Sequence, residues 1–442
     1  MIPTQDRTKQ VLAISLPIMG GMISQSILNL VDAFLVGSLG NVELAATGLG
    51  GYTMFLAASL VLGLGTGVQA MVSRRKGEGD STQYALPLNA GLLLSVLIGL
   101  PLVAFFYGAS PYLLSLLSSD QAVAEISSEY FTARVPGILA MGLNFSFRGY
   151  WNGVGKSMVY MRTLIVMHIS NVVLSYALIF GHFGMPEMGV AGAGLGTTLS
   201  LFIASILYAI QCYRYSSGQG FLTQFPSRKI LSSIMTQSFP ASLQQLLFAG
   251  GLTVLFWIIG KIGTDELSVA HVLITIVLFL ILPAMGLGLG AASLVGQALG
   301  RGNKTDAYQW GMDSAFIILV GLTIVSLPFA IFPEIALGLF LHKPELIELG
   351  IRPLQLSAIF MGIDAVGIVI MHALLGAGAS KTVIKVSIPT QWLFFLPSAF
   401  LAGPILGYGL LGVWVMQMLQ RLLITIGFSY VWKQRRWANI RL

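Results

Sequence analysis

Apolar runs of 20 or more residues recur along this 442-residue chain, separated by short polar or glycine-containing breaks. A helix of that length crosses a hydrocarbon core of about 30 Å. The pattern predicts about twelve spans, at 11–36, 45–72, 84–107, 130–152, 160–181, 188–213, 231–259, 267–298, 308–332, 352–376, 383–403 and 406–432. Lipid offers no partner to open sheet edges, so repeated spans imply an all-α integral membrane bundle. The longest polar stretch, from Arg214 to Lys229, reads as a loop, and no soluble domain fits between spans. The first apolar segment, starting near Val11, lacks a short h-region with a small-residue cleavage site, and reads as the first span.

The pattern also repeats itself. An offset of 223 residues lays Pro17 on Pro240, Gly37 on Gly260, Gly40 on Gly263, and Glu43–Leu44 on Glu266–Leu267. The same offset lays GLGTG (63–67) on GLGLG (286–290), Gly79 on Gly302, and Gly153, Gly155 and Ser157 on Gly376, Gly378 and Ser380. Chance register of common membrane residues would not hold one offset across Pro, Glu, Ser and two glycine clusters. Six spans per half is an even number, so both halves enter from the same side, as a parallel repeat. The expected organisation is therefore two pseudo-symmetric six-helix lobes. The first is 1–213, the second 231–442, and a cytoplasmic linker at 214–230 acts as the hinge between them.

Composition sharpens this picture. The chain is 55% hydrophobic and 9% charged, where a soluble domain carries about 25% charged residues. Its net charge of +7 could suggest a polyanionic partner. The distribution argues instead for orientation. Arg7, Lys9, Arg74, Arg75, Lys76, Arg228, Lys229, Arg435, Arg436 and Arg441 fall on one side, and only Arg134, Lys261, Lys343 and Arg352 on the other. That asymmetry places both termini in the cytoplasm of a multi-pass inner-membrane protein, and no nucleic acid is implied. A lone cysteine, Cys212, excludes an internal disulfide.

Where the repeat breaks, chemistry is expected. Asp32 corresponds to Leu255, and Asp364 to Met141, so each intramembrane acid belongs to one lobe. A carboxylate in a span costs roughly 2.5–3.5 kcal/mol, and Asp32 also lies toward a helix C-terminus, where the dipole opposes negative charge. Its neutral form escapes both costs, and a group that takes and releases a proton is what proton coupling needs. The competing view is an acid solvated in a vestibule with no role. Gln25 and Asn29 share the face of Asp32, either lining a cleft or bonding a neighbouring helix. Pro17 followed by Gly20 marks a hinge or a static kink. Asn171 and Ser175 stand one turn apart in span five with His168, whose ordinary role is packing. Asp364 and Arg421 lie at similar depth in spans ten and twelve, which suggests an ion pair. Arg148 can snorkel to the headgroups. Trp432 and Trp437 fit interfacial anchors. The glycine clusters lack a following GK[ST], so they serve close helix approach or local unwinding rather than phosphate binding.

The opening SLPIMGGMISQSILNLVDAFLVGSLG, then LAATGLG, SRRKGEGD, RGYWNGVGKSM, GVAGAGLGTTLS, GQALGRGNKTD and LLGAGASKT resemble the multidrug and toxic compound extrusion (MATE) transporters over nearly the whole chain. The resemblance implies two lobes around a V-shaped cleft with alternating access, exporting drugs or metabolites, often organic cations, against protons or sodium ions. It implies a first-lobe cation site at Asp32, Asn171 and Thr197, and a protonation-linked bend at Pro17. Two departures matter. Where such sites often carry a second acid after the span-five asparagine, this chain has Ser175. Where a sodium-coupled branch pairs a span-seven glutamate with a span-ten aspartate, Asp364 has only Gln244 and Gln245 opposite. A hard cation wants several oxygens and preferably charge, so both departures favour a proton over sodium as the coupling cation.

The leading expectation is thus a monomeric antiporter of small amphiphilic, cationic compounds, with no cofactor and no resident metal. The alternatives are a sodium-coupled exporter and a lipid-linked sugar flippase of the same superfamily; the flippase would need a more cationic cleft than Arg421 and Arg148 provide. An intramembrane enzyme would need paired His, Asp or Glu ligands, and none are spaced for it. A channel fits the two-lobe repeat poorly.

Overall fold

A computed structural model of the chain describes residues 3–79, 81–118, 120–440 and 442. Asp80, the last residue of SRRKGEGD, and Arg441 in the basic tail lie outside the described residues. The described residues are helical with short connections. In chain order they are α1 (Gln5–Gly37), α2 (Asn41–Leu62), α3 (Leu64–Glu78), α4 (Leu86–Leu117), α5 (Gln121–Arg134), α6 (Gly137–Gly153), α7 (Ser157–Phe180) and α8 (Gly189–Ser216). The second half continues with α9 (Arg228–Gly260), α10 (Thr264–Leu280), α11 (Leu282–Gly300), α12 (Lys304–Ile331), α13 (Pro333–Gly338), α14 (Pro344–Gly376), α15 (Ser380–Ile388), α16 (Leu396–Phe400) and α17 (Gly409–Gln434). Among the described residues, eleven continuous stretches are long and apolar enough to cross a membrane. The twelfth expected span, 130–152, is α5 followed by α6, interrupted at Val135–Pro136. The interruption leaves helices of 14 and 17 residues, neither long enough to cross by itself.

The conserved offset between the halves has a physical meaning at each glycine pair. Gly155 and Gly378 end α6 and α14 in left-handed conformation, with φ of 72° and 86°. After each, the chain closes back: Lys156 N–H donates to Trp151 C=O at 2.8 Å, and Ala379 N–H to Leu374 C=O at 2.9 Å. This is the Schellman termination, which glycine adopts without strain. Gly40 and Gly263 precede α2 and α10, and the carboxylates of Glu43 and Glu266 occupy the space a Cβ there would take. An acid folded onto a helix N-terminus complements the dipole.

The GxGxG clusters are sites of close approach, as their composition suggested. A Cβ on Gly63 or Gly67 would collide with Ser238 and Ser242 of α9. Ser242 bridges the break between α2 and α3, accepting from Gly63 N–H at 3.1 Å and donating to Leu60 C=O at 3.0 Å. In the repeat, Gly286 abuts Met19 and Gly290 abuts Ser15 of α1. Each cluster therefore cradles the first half of a proline-containing helix from the other sequence half.

That exchange redraws the organisation. One compact unit is Met1–Met19 with Gln244–Leu442, and the other is Gly20–Leu243. They differ from the sequence halves 1–213 and 231–442, because α1 and α9 each change unit within two to three residues of Pro17 and Pro240. The stretch expected to be a hinge, 214–230, is strapped to the second unit. Asn89 donates to Gly220 C=O at 2.8 Å and accepts from Leu222 N–H at 3.1 Å, and Tyr150 donates to Ser216 at 2.7 Å.

Two expectations about span ends are corrected. Trp432 and Trp437 are buried and stacked on one another at 3.9 Å, so they pack the first unit rather than anchor it at an interface. Arg148 does not snorkel: its guanidinium lies 4.1 Å over the Phe145 ring and bonds to Tyr160.

Candidate functional site

In the Gly20–Leu243 unit, α1 and α7 run side by side in the same direction. Gly21 packs against Tyr160 and Leu164, Gln25 bonds His168, and Val36 shares a buried cluster with Ile179. The bond at one level and the cluster at another share an offset of 143 residues. Asp32 lies between these levels, so the register places it beside Ser175.

Helix α8 approaches α7 at the same level. A Cβ on Gly196 would sit 2.7 Å from both the nitrogen and the hydroxyl of Ser175, and one on Gly192 would strike the Leu178 carbonyl. The glycines of GVAGAGLGTTLS thus bring Thr197 against Asn171. Asn171 is fully buried, and its amide donates to Thr197 Oγ1 at 3.0 Å and to Ser200 Oγ at 3.5 Å. Thr197 in turn donates to its own helix at Ala193 C=O, 3.0 Å away. With the amide nitrogen so held, the Asn171 oxygen is left over.

Three oxygens in this neighbourhood are buried without a hydrogen-bond partner: Asp32 Oδ1, Asn171 Oδ1 and Ser175 Oγ. Buried polar atoms are nearly always satisfied, so a cluster of orphans calls for a ligand. Oxygens suit a proton or a small hard cation, but with only one carboxylate the set is poor in charge for a metal ion. No group of three His, Cys, Asp or Glu gathers for a metal among the described residues.

The polar face below Asp32 is a relay of neutral groups. Gln25 donates to Asn29 at 3.1 Å and accepts from His168 Nε2 at 3.1 Å, while His168 Nδ1 accepts from Ser24 at 2.6 Å. Both ring nitrogens are engaged, which is the packing role expected of this histidine. Asn29 is exposed. Gly20 faces Met161, and Pro17 and Gly20 flank the point where α1 changes unit.

The first unit treats its acid differently. Asp364 of α14 meets Arg421 of α17 in an ion pair of 3.4 Å. Gln417 and Gln420 are buried beside Arg421 in sequence. One turn along, Thr425 donates to Ile363 C=O at 3.2 Å, and Gly367 leaves room for Thr425. Gln244 ties α9 to Met371 Sδ at 3.2 Å and to Ser387 at 3.4 Å, and Gln245 is half-buried. Neither glutamine is brought to Asp364 by any of these bonds.

Sequence reasoning missed two groups. Asp313 lies inside the predicted ninth span and carried the same signal as Asp32. It pairs with Arg7, which also bonds Asp306 at 2.7 Å and lies 3.7 Å over the Trp310 ring. Arg134, read from the sequence only as a basic residue on the side opposite the termini, is the last residue of α5 and lies within electrostatic range of Asp32. Only three-dimensional register could have joined those two.

Comparison with known proteins gives this geometry a context. The chain is 26% identical over 425 residues to the probable multidrug resistance protein NorM of Synechococcus sp., covering 93% of this chain and 90% of the relative. It is 24% identical over 405 residues to the multidrug resistance protein NorM of Photobacterium profundum, covering 90% and 88%. Among solved structures, an outward-facing multidrug resistance MATE family transporter of the MOP superfamily superposes with a TM-score of 0.89 at 24% identity, over 97% of this chain and 96% of that one. The Vibrio cholerae MATE transporter VcmN in its bent form gives 0.88 at 18% identity, over 97% of each. These structures share the two-lobed all-helical fold. The sequence model of MatE matches twice, at residues 17–177 and 240–401, and the two matches begin 223 residues apart, at Pro17 and Pro240. Matched through both of its repeats, the chain belongs to the MatE family, whose members are multi-pass membrane transporters and not enzymes.

Proposed function

We propose that this protein is a secondary active antiporter that exports small amphiphilic, cationic compounds in exchange for protons by alternating access, with Asp32 as the proton carrier. The observation that carries the reading is the contrast between orphaned oxygens at Asp32 and the ion pair at Asp364. Asp364 already has a fixed charged partner in Arg421, and breaking such a buried pair is costly. An acid with an unsatisfied oxygen beside neutral donors can exchange a proton.

Each residue then has a task. Asp32 binds the proton on one face of the membrane and releases it on the other. Asn171, Ser175 and Thr197 shape the pocket and offer oxygens to the protonated acid. Gln25 and Asn29 line the approach from α1, and Gln244 and Gln245 supply polarity from α9. Bending of α1 between Pro17 and Gly20 couples the state of Asp32 to opening, since the helix changes unit there. The NorM names of the relatives support drugs as cargo. The charge asymmetry supports both termini in the cytoplasm of an inner-membrane protein, and a single chain with two repeats needs no second copy to form a pathway, which supports a monomer.

Sodium is the second reading, favoured by the three available oxygens and opposed by the single acid. The flippase reading loses support, because Arg421 is engaged by Asp364 and Arg148 by Tyr160 and Phe145. Neither is left to hold a diphosphate.

The test is purified protein in liposomes, a fluorescent organic cation, and either a proton or a sodium gradient. Transport under the proton gradient alone is expected. Transport driven by sodium alone would contradict the coupling assignment.

A further inference from the structure

Arg134 is an ionisable residue in a span that the transport reading above leaves unused. Helix α5 runs alongside α8: Gly194 abuts Tyr130 and the Arg134 side chain, and Thr198 donates to Ala133 C=O at 2.9 Å. Two residues beyond Gly194, Gly196 abuts Ser175. Arg134 and Ser175 are therefore at one depth on opposite sides of α8. A second line gives the same level. Tyr130 packs with Val36 and Ile179. Because α5 runs opposite to α1, Arg134, one turn after Tyr130, stands at the depth of Asp32, one turn before Val36. Arg134 acts on Asp32 electrostatically.

The groups that hold it are neutral. The guanidinium donates to the Tyr130 hydroxyl at 2.8 Å and lies 5.4 Å from that ring. Among the described residues it forms no salt bridge. Of the other titratable groups on these helices, His168 is held by Ser24 and Gln25, Glu43 folds onto Gly40 at the start of α2, and Glu125 and Glu129 line a cavity between α5 and the end of α4 with Pro111 and Ser115.

We propose that Arg134 is a built-in counter-cation for Asp32 that makes the coupling site select a proton over sodium. A proton bonds to one carboxylate oxygen and needs no shell of its own. The Arg134 charge opposes either cation, but a sodium ion needs several oxygens at once, and donors of the guanidinium turned onto the carboxylate would take the lone pairs that shell requires. When the proton leaves, the fork of Arg134 donors takes its place, so the acid is not left bare in the membrane. This inference rests on the reading of Asp32 as the coupling acid.

The experiment uses the full-length protein in liposomes with ethidium, with and without sodium, for wild type, Arg134→Lys and Arg134→Gln. The expected result is a sodium response in Arg134→Gln at a concentration about tenfold or more below any seen in wild type. Arg134→Lys, which keeps the charge, should behave as wild type, and Asp32→Asn combined with Arg134→Gln should abolish the gain. If Arg134→Gln is inactive, sodium should still raise its unfolding temperature in detergent and not that of Arg134→Lys. An unchanged sodium response in Arg134→Gln by both readouts, or an equal gain in Arg134→Lys, would overturn the proposal. Sodium-driven transport by the wild type would instead defeat the proton reading itself, while the ranking of the three proteins still decides the role of Arg134.

Discussion

Two intramembrane aspartates, one in each compact unit, meet opposite fates. Asp364 is paired with Arg421 across α14 and α17, and its neighbours Gly367 and Thr425 lock the two helices in register. The α1–α7 register places Asp32 at the level of Ser175 with an oxygen unsatisfied, and the charge that acts on it comes from Arg134 without a salt bridge. Burial makes both acids expensive. The first unit offsets that cost with a fixed partner and gains structure. The second leaves it partly standing, which gives a group that can change state. One fold duplicated in sequence thus holds a paired acid and an acid with an unsatisfied oxygen, and the second is the one we propose as the coupling group.

The comparison breaks most sharply in the first unit. Arg421→Met strands Asp364 without its cation, and removal of one partner of a buried pair costs about 3–5 kcal/mol. Thermal unfolding in detergent should fall accordingly, and Asp364→Asn in the same chain should recover most of the loss. Asp32→Asn, which removes a buried charge lacking a hydrogen-bond partner on one oxygen, should leave or raise the unfolding temperature.

A smaller effect is expected where α8 meets α7. Gly196→Val pushes a side chain into the backbone of Ser175, and overpacking of this kind costs about 1–3 kcal/mol. It should also impair proton-driven transport, since Thr197 moves away from Asn171. The same bulk at an exposed position such as Ser217 should do neither, with transport and unfolding measured together. The smallest effect is at the lock of the paired acid. Thr425→Val keeps the shape and loses one hydrogen bond to Ile363, worth about 1 kcal/mol, with coupling unchanged.

Much of this was legible in the sequence, for reasons that are local. Hydrophobic run length marked the spans, since burial in lipid acts residue by residue. The offset of 223 was readable because helix terminators such as Gly155 and Gly378 need left-handed backbone in both halves. Asp32 and Asp364 stood out by cost alone. What escaped notice was mostly non-local. The exchange of Met1–Met19 and the first half of α9 between units depends on which glycine cluster each helix docks against. The placement of Arg134 at the depth of Asp32 depends on the register of four helices. The break at Val135–Pro136 and the pairing of Asp313 with Arg7 are different: a proline within span four and an acid within span nine were visible signals that the hydrophobic pattern overrode.

The central claim is that Asp32, and not Asp364, exchanges a proton for cargo. Purified protein in weakly buffered detergent solution, mixed with an organic cation, would report this directly through a pH indicator dye. The account predicts proton release from the wild type and from Asp364→Asn, and none from Asp32→Asn. Release that survives Asp32→Asn, or that disappears in Asp364→Asn while the protein remains folded, would contradict it.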